Sequence, residues 1–171
     1  MSDAHIWSSS LDGTVRVWDS SSGSCVGVLN GADNNGHTEG VTCMAAVPGD
    51  VPYIVTGDTG GVVKWWNSTT GECVWTGGHG PGCVITCMTS FQDTYGGPPT
   101  LVIGTVTGKI FIRSCVTRKV LLALDINVSG KKGHSPDQPV WCVTAVPPNT
   151  IASGDQEGQL VVWTIREALA D

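Results

Sequence analysis

One eight-residue pattern returns four times along the chain: DGTVRVWD at 12–19, GGVVKWWN at 60–67, TGKIFIRS at 107–114 and EGQLVVWT at 157–164. Anchored on the seventh residue of each (Trp18, Trp66, Arg113 and Trp163), the spacings are 48, 47 and 50 residues. A period of this size marks repeated supersecondary units that stack into one array, because a single unit cannot bury its own apolar face. Around each anchor the chain alternates apolar and polar residues in short β-branched runs separated by turn residues. In the second unit these runs are 41–47, 52–57, 62–66 and 72–76, and the third repeats the order at 84–91, 100–105, 109–113 and 119–124. We label them strands a, b, c and d. The expected fold is all-β, with helix confined to the final IREALAD.

Composition fits that reading. The 171 residues include 23 glycines and only 14% charged residues, which suits tight turns between short strands. Net charge is −6, and the only adjacent basic pairs are Arg118-Lys119 and Lys131-Lys132, which speaks against nucleic acid as a ligand. No apolar run reaches the ~18 residues of a membrane span and the start is polar, so the expectation is a cytoplasmic protein with no membrane contact. Seven cysteines argue against a closed disulfide set. Cys43, Cys87 and Cys142 share one repeat position and Cys25 and Cys73 another, as small core residues would. Cys83/Cys87 is a CxxxC without a second pair, so no metal site is expected.

The chain resembles the WD-repeat β-propellers, whose units carry Gly-His before strand a and Trp-Asp at the end of strand c. Here the Gly-His pairs are Gly36-His37, Gly78-His79 and Gly133-His134, and the only true Trp-Asp is Trp18-Asp19. The resemblance implies a buried hydrogen-bond network in each unit joining the His, a Ser/Thr on strand b, an Asp in the b–c turn and the Trp. Carried over, the second unit offers His37, Thr56 and Trp66, with Gly60 at the Asp position and Asp58 as a possible substitute. The fourth offers His134, Ser153 and Trp163, with Glu157 for Asp. The first offers Ser8, Asp12 and Trp18 but no His, and the third has Ile103, Thr107 and Arg113, so no network is expected there. Arg113 either pairs with an acid such as Asp93 or turns outward.

Counted by strands, the expectation is a partial propeller: two complete four-stranded blades flanked by two incomplete ones, in units of about 4–30, 37–76, 79–124 and 134–165 within one domain, 1–171. Propellers close their rings, so the chain reads as a piece of a larger propeller, the alternative being two copies meeting in one ring. Three of the four histidines hold the Gly-His position, and no nucleophile–base pair, phosphate loop or cofactor motif is left over; no catalytic residue and no cofactor are expected. The expected role is a non-catalytic scaffold for other proteins, with the remaining blades or a second copy as further partners. The runner-up is the recognition or regulatory propeller of a larger enzyme, such as a ubiquitin ligase subunit or a phosphatase. In the family, partners dock on the face made by the d–a and b–c loops. The matching positions are Thr42, Thr86 and Trp141 on strand a and Leu11, Thr59, Val106 and Gln156 in the b–c turns. Trp141 stands out as a large aromatic where its siblings are Thr. Long connections at 30–40, 91–100 and 127–139, the last with Lys131-Lys132, add candidate contact surface.

Overall fold

The computed structural model describes residues 5–31, 35–49, 52–92, 97–125, 133–146 and 150–164. Asp93, the Lys131-Lys132 pair, parts of all three long connections and the stretch after Thr164 lie outside the described residues.

The described residues form 14 strands in four antiparallel sheets, each sheet one blade. Blade 1 holds β1 (His5–Ser9), β2 (Val15–Asp19) and β3 (Cys25–Leu29). Blade 2 runs β4 (Val41–Val47), β5 (Tyr53–Asp58), β6 (Val62–Asn67), β7 (Cys73–Gly78), and blade 3 runs β8 (Ile85–Phe91), β9 (Thr100–Thr105), β10 (Ile110–Ser114), β11 (Val120–Leu124). Blade 4 has β12 (Val140–Val146), β13 (Thr150–Asp155) and β14 (Leu160–Thr164). Two complete blades thus stand between two three-stranded ones. Each strand pairs with its neighbour in sequence, as tight turns require.

Three apolar clusters, one per seam, hold the blades together. Val15, Leu29, Val41 and Trp66 join blades 1 and 2. Val55, Val63, Trp65, Ile85, Leu101 and Ile103 join blades 2 and 3. Val102, Ile110, Ile112, Val140, Ile151 and Trp163 join blades 3 and 4. At roughly 1.5–3 kcal/mol for each fully buried aliphatic side chain, these seams, not the single sheets, stabilise the array. Glycine sets the approach distance: a Cβ at Gly57 would come within 2.7 Å of Ile85 Cγ2, and one at Gly104 within 3.0 Å of Val140 Cγ1.

Of the repeat-phase cysteines expected in the core, Cys43, Cys73 and Cys87 pack against the seams, whereas Cys25, on the outer strand of blade 1, is exposed. Cys43 and Cys87 pack against the second and third clusters, and their thiols are pushed up by burial to about 12 and about 11. Cys142, on the uncovered side of blade 4, is exposed. All seven cysteines are free thiols.

Candidate functional site

Each strand a begins with a register shift. It falls between Val41 and Cys43, between Ile85 and Cys87, and between Val140 and Cys142. The residues inside these bulges are Thr42, Thr86 and Trp141. A bulge re-aims its side chain out of the sheet's alternation, which brings these three positions to one end of the array. Thr42 Oγ donates to the Ile85 carbonyl at 2.6 Å and Thr86 Oγ donates to the Val140 carbonyl, so each hydroxyl also ties its blade to the next. Trp141 has no such bond among the described residues and is 55% exposed.

The b–c turns reach the same end. Leu11, Thr59 and Val106 join Thr42, Thr86 and Trp141 in lining a cavity of about 540 Å³. Ser9, Val41, Val84 and Ile85 complete its wall, and none of the lining residues carries a charge. Gln156 sits on the corresponding turn of blade 4, exposed and outside this cavity. Six of the seven sequence-derived contact positions therefore share one concave, uncharged surface, with Leu11 (73% exposed) and Trp141 at its rim.

Behind that surface lie two buried polar networks. In blade 2, Trp66 Nε1–H donates to Thr56 Oγ at 2.8 Å, Thr56 and His37 Nε2 are 2.6 Å apart, and His37 Nδ1 meets Asp58 Oδ2 at 2.7 Å. With a neutral imidazole and an ionised Asp58, Thr56 O–H donates to Nε2 and Nδ1–H donates to the carboxylate. Blade 4 repeats it with Trp163, Ser153, His134 and Asp155, at 2.8, 2.7 and 2.8 Å. In blade 2 the acid is Asp58, the substitute offered for Gly60, and in blade 4 it is Asp155 rather than the expected Glu157. Each second carboxylate oxygen closes the b–c turn, Asp58 on Val62 N and Asp155 on Gln159 N. Burial opposes ionisation of Asp58, but the bonds from His37 and the Val62 and Gly60 amides outweigh it and hold its pKa below the ordinary 3.8. Asp155 is lowered by the same balance.

Blade 1 has half of this arrangement. Trp18 Nε1–H donates to Ser8 Oγ at 2.8 Å, but Asp12 is not in the network. Its carboxylate accepts from the Thr14 amide and hydroxyl and so caps its own turn. Counting back eight residues from the Trp, Ser10 occupies the place of Asp58 and Asp155.

Blade 3 is built differently. Arg113 is buried (4% exposed) and neither pairs with an acid among the described residues nor turns outward. Its guanidinium lies 5.1 Å from the centre of the Trp75 ring, donates to the Arg118 carbonyl, and sits 3.5 Å from His79 Nε2. His79 stacks on Phe111 with ring centres 3.9 Å apart. Burial, with the Arg113 charge beside it, pulls His79 down to about 4. This cross-seam packing follows no signal in the local sequence.

Among the described residues no group of three or more His, Cys, Asp or Glu side chains could hold a metal. The histidines at 37 and 134 are engaged at both ring nitrogens, so they rigidify their blades rather than present a base.

The family model "WD domain, G-beta repeat" matches residues 23–67, spanning the end of blade 1 and the first three strands of blade 2. The fold, the repeat and the two His-Ser/Thr-Trp-Asp networks fall in place with that match. The chain carries a WD repeat within a β-propeller fold. The crystal structure of the computationally designed Ika4 protein superposes with a TM-score of 0.71 at 26% identity, covering 96% of this chain and 88% of that one. The crystal structure of the computationally designed Ika8 protein gives 0.68 at 25% identity over 96% of this chain. This WD-repeat chain spans only 44% of Ika8. WD repeats generally mediate contacts between proteins and are typically non-catalytic.

Proposed function

We propose that this chain is a non-catalytic scaffold that holds another protein at the uncharged cavity between the strand a bulges and the b–c turns. The observation that carries this reading is the convergence of Leu11, Thr42, Thr59, Thr86, Val106 and Trp141 on one concave surface with two large apolar side chains exposed at its rim. A half-exposed Trp beside an uncharged, largely apolar hollow is the kind of feature that dominates binding energy at protein interfaces. With no charge in the lining, the surface favours an aliphatic or aromatic side chain of the partner over an acidic or phosphorylated one.

The test is affinity capture of binding proteins on the immobilised chain, followed by the same capture on Trp141→Ala and Val106→Glu. Both substitutions sit outside the seam clusters and should leave the circular dichroism spectrum unchanged. Loss of the same captured proteins in both variants supports the reading. Capture undiminished by either one refutes it.

A further inference from the structure

Three strands follow a c–d turn and form the outer edge of a blade: β3, β7 and β11. The turns are built alike. Gly23 N–H donates to the Asp19 carbonyl, Gly71 N–H to Asn67 and Arg118 N–H to Ser114, at 2.9, 2.8 and 2.9 Å. The donor in each is left-handed, with φ of 69°, 75° and 60°. Glycine takes that conformation freely and an arginine does not, so blade 3 carries a strain that its siblings avoid. Strain that a glycine would relieve points to a position kept for function. What it holds here is a cation. The Arg118 guanidinium lies over the Tyr53 ring, 6.0 Å from its centre, and its Nε–H is buried with no acceptor among the described residues. The Arg118 carbonyl accepts from Arg113, which fixes the turn from inside. Lys119 follows, exposed, and among the described residues neither cation makes an ion pair. The two stand at the start of β11, which reads VLLAL and alone of the three outer strands has no glycine. Val120 and Leu121 are 42% and 40% exposed. An edge strand without Pro, Gly or charge within it offers its outward main-chain donors and acceptors to another chain.

We infer that the outer edge of β11 pairs with an extended segment of another protein that ends in carboxylates. The segment runs antiparallel to β11, as each strand of blade 3 does to its neighbour. Its last residues then meet Arg118 and Lys119, and these are Asp or Glu. Main-chain bonds along the strand supply affinity, and the side-chain contact at its start sets register and choice of partner. A planar guanidinium held over an aromatic ring suits that task, because it takes a carboxylate in two parallel bonds. The Arg118 turn lies at the end of strand c opposite to the b–c turns that wall the uncharged cavity, so the two surfaces are independent.

The probe is a synthetic peptide, TVTVTVEE in one-letter code, labelled with a fluorophore at its N-terminus and titrated with the 171-residue protein. Its anisotropy should rise to saturation at one site, and amide hydrogen exchange along β11 should slow. TVTVTVQQ should bind about tenfold more weakly, the loss of one charge-assisted contact. TVTPTVEE, which cannot complete the main-chain ladder, should not bind detectably. Arg118→Gly should weaken TVTVTVEE about tenfold and leave the unfolding midpoint unchanged or raised, since it puts the siblings' glycine at the left-handed position. A variant that folds as well and binds worse does not owe its defect to misfolding. Four outcomes overturn the inference. No binding of TVTVTVEE means that the two cations only keep the edge single. Binding that neither TVTVTVQQ nor Arg118→Gly weakens makes the edge adhesive without the cation. Undiminished binding of TVTPTVEE reduces the contact to charge alone. A particle of twice the 17.8 kDa chain mass with β11 amides already protected gives the edge to a second copy.

Discussion

Thr56→Val separates the buried networks from ordinary packing. Thr56 is fully buried, as is Trp66, and His37 is 3% exposed. Valine keeps the shape of threonine and deletes one hydroxyl, which is the group that accepts from Trp66 Nε1 and donates to His37 Nε2. The substitution therefore leaves a buried indole N–H and a buried imidazole nitrogen unpaired at once. A buried polar group stripped of its partner costs about 1–3 kcal/mol, so the pair should cost about 2–6 kcal/mol. In a chain of this size that is a fall of roughly 4–24 °C in Tm, at about 2–4 °C per kcal/mol. Ser8→Ala is the internal control. It deletes the same hydrogen bond to an indole, but Ser8 and Trp18 are only half-buried and the freed N–H can turn to water. Its cost should stay under about 1 kcal/mol. Urea unfolding followed by tryptophan fluorescence measures both. If Thr56→Val lies within 1 kcal/mol of the parent, or Ser8→Ala costs as much as it does, the networks are not what stiffens these blades.

Other expected outcomes rest on the odd chemistry of blade 3 and on the thiols. Arg113→Met removes a buried guanidinium that no carboxylate offsets among the described residues, at the loss of a cation–π contact with Trp75. It should leave stability unchanged or raise it by up to about 2 kcal/mol in thermal unfolding, and a loss above 1 kcal/mol would contradict that. His79 is held at about 4 in the fold against 6.5 when unfolded, so the unfolded chain binds the extra proton between those values. Stability should fall as pH drops from 6.5 to about 4 and gain nothing from this group above 6.5; unfolding midpoints of His79→Phe should lack that segment. Alkylation at pH 8 should modify exposed Cys25 while Cys43, Cys87 and Cys115 stay intact, because burial raises their thiols to about 12, 11 and 12. Mass spectrometry that found these three modified as fast as Cys25 would mean that the seams open readily.

What could be read from the sequence and what could not divides along the blade seams. The repeat spacing gives the four sheets, and alternation places most strands to within two residues, because both depend on neighbours in the chain. The shared place of Thr42, Thr86 and Trp141 is also legible, because the bulge that holds them occupies one fixed position in the three blades that have a strand a. Asp58 is reached only as a substitute for Gly60, and Glu157 is named where Asp155 serves, because Asp12 sits in the most regular copy of the motif and draws the alignment to itself. In fact Asp12 only caps its turn, whereas Asp58 and Asp155 each stand eight residues before their Trp, a spacing present in the sequence all along. Arg113 was beyond reach, since its partners are a ring from the preceding blade, a carbonyl in its own turn and a histidine 34 residues away. The same holds for the hydroxyls of Thr42 and Thr86, whose acceptors are carbonyls of the next blade. Local pattern decides which side chains a blade presents; the neighbour decides what they meet. Trp141 is the unmatched position: among the described residues it lacks the inter-blade bond that the hydroxyls of Thr42 and Thr86 make at the same place in the repeat.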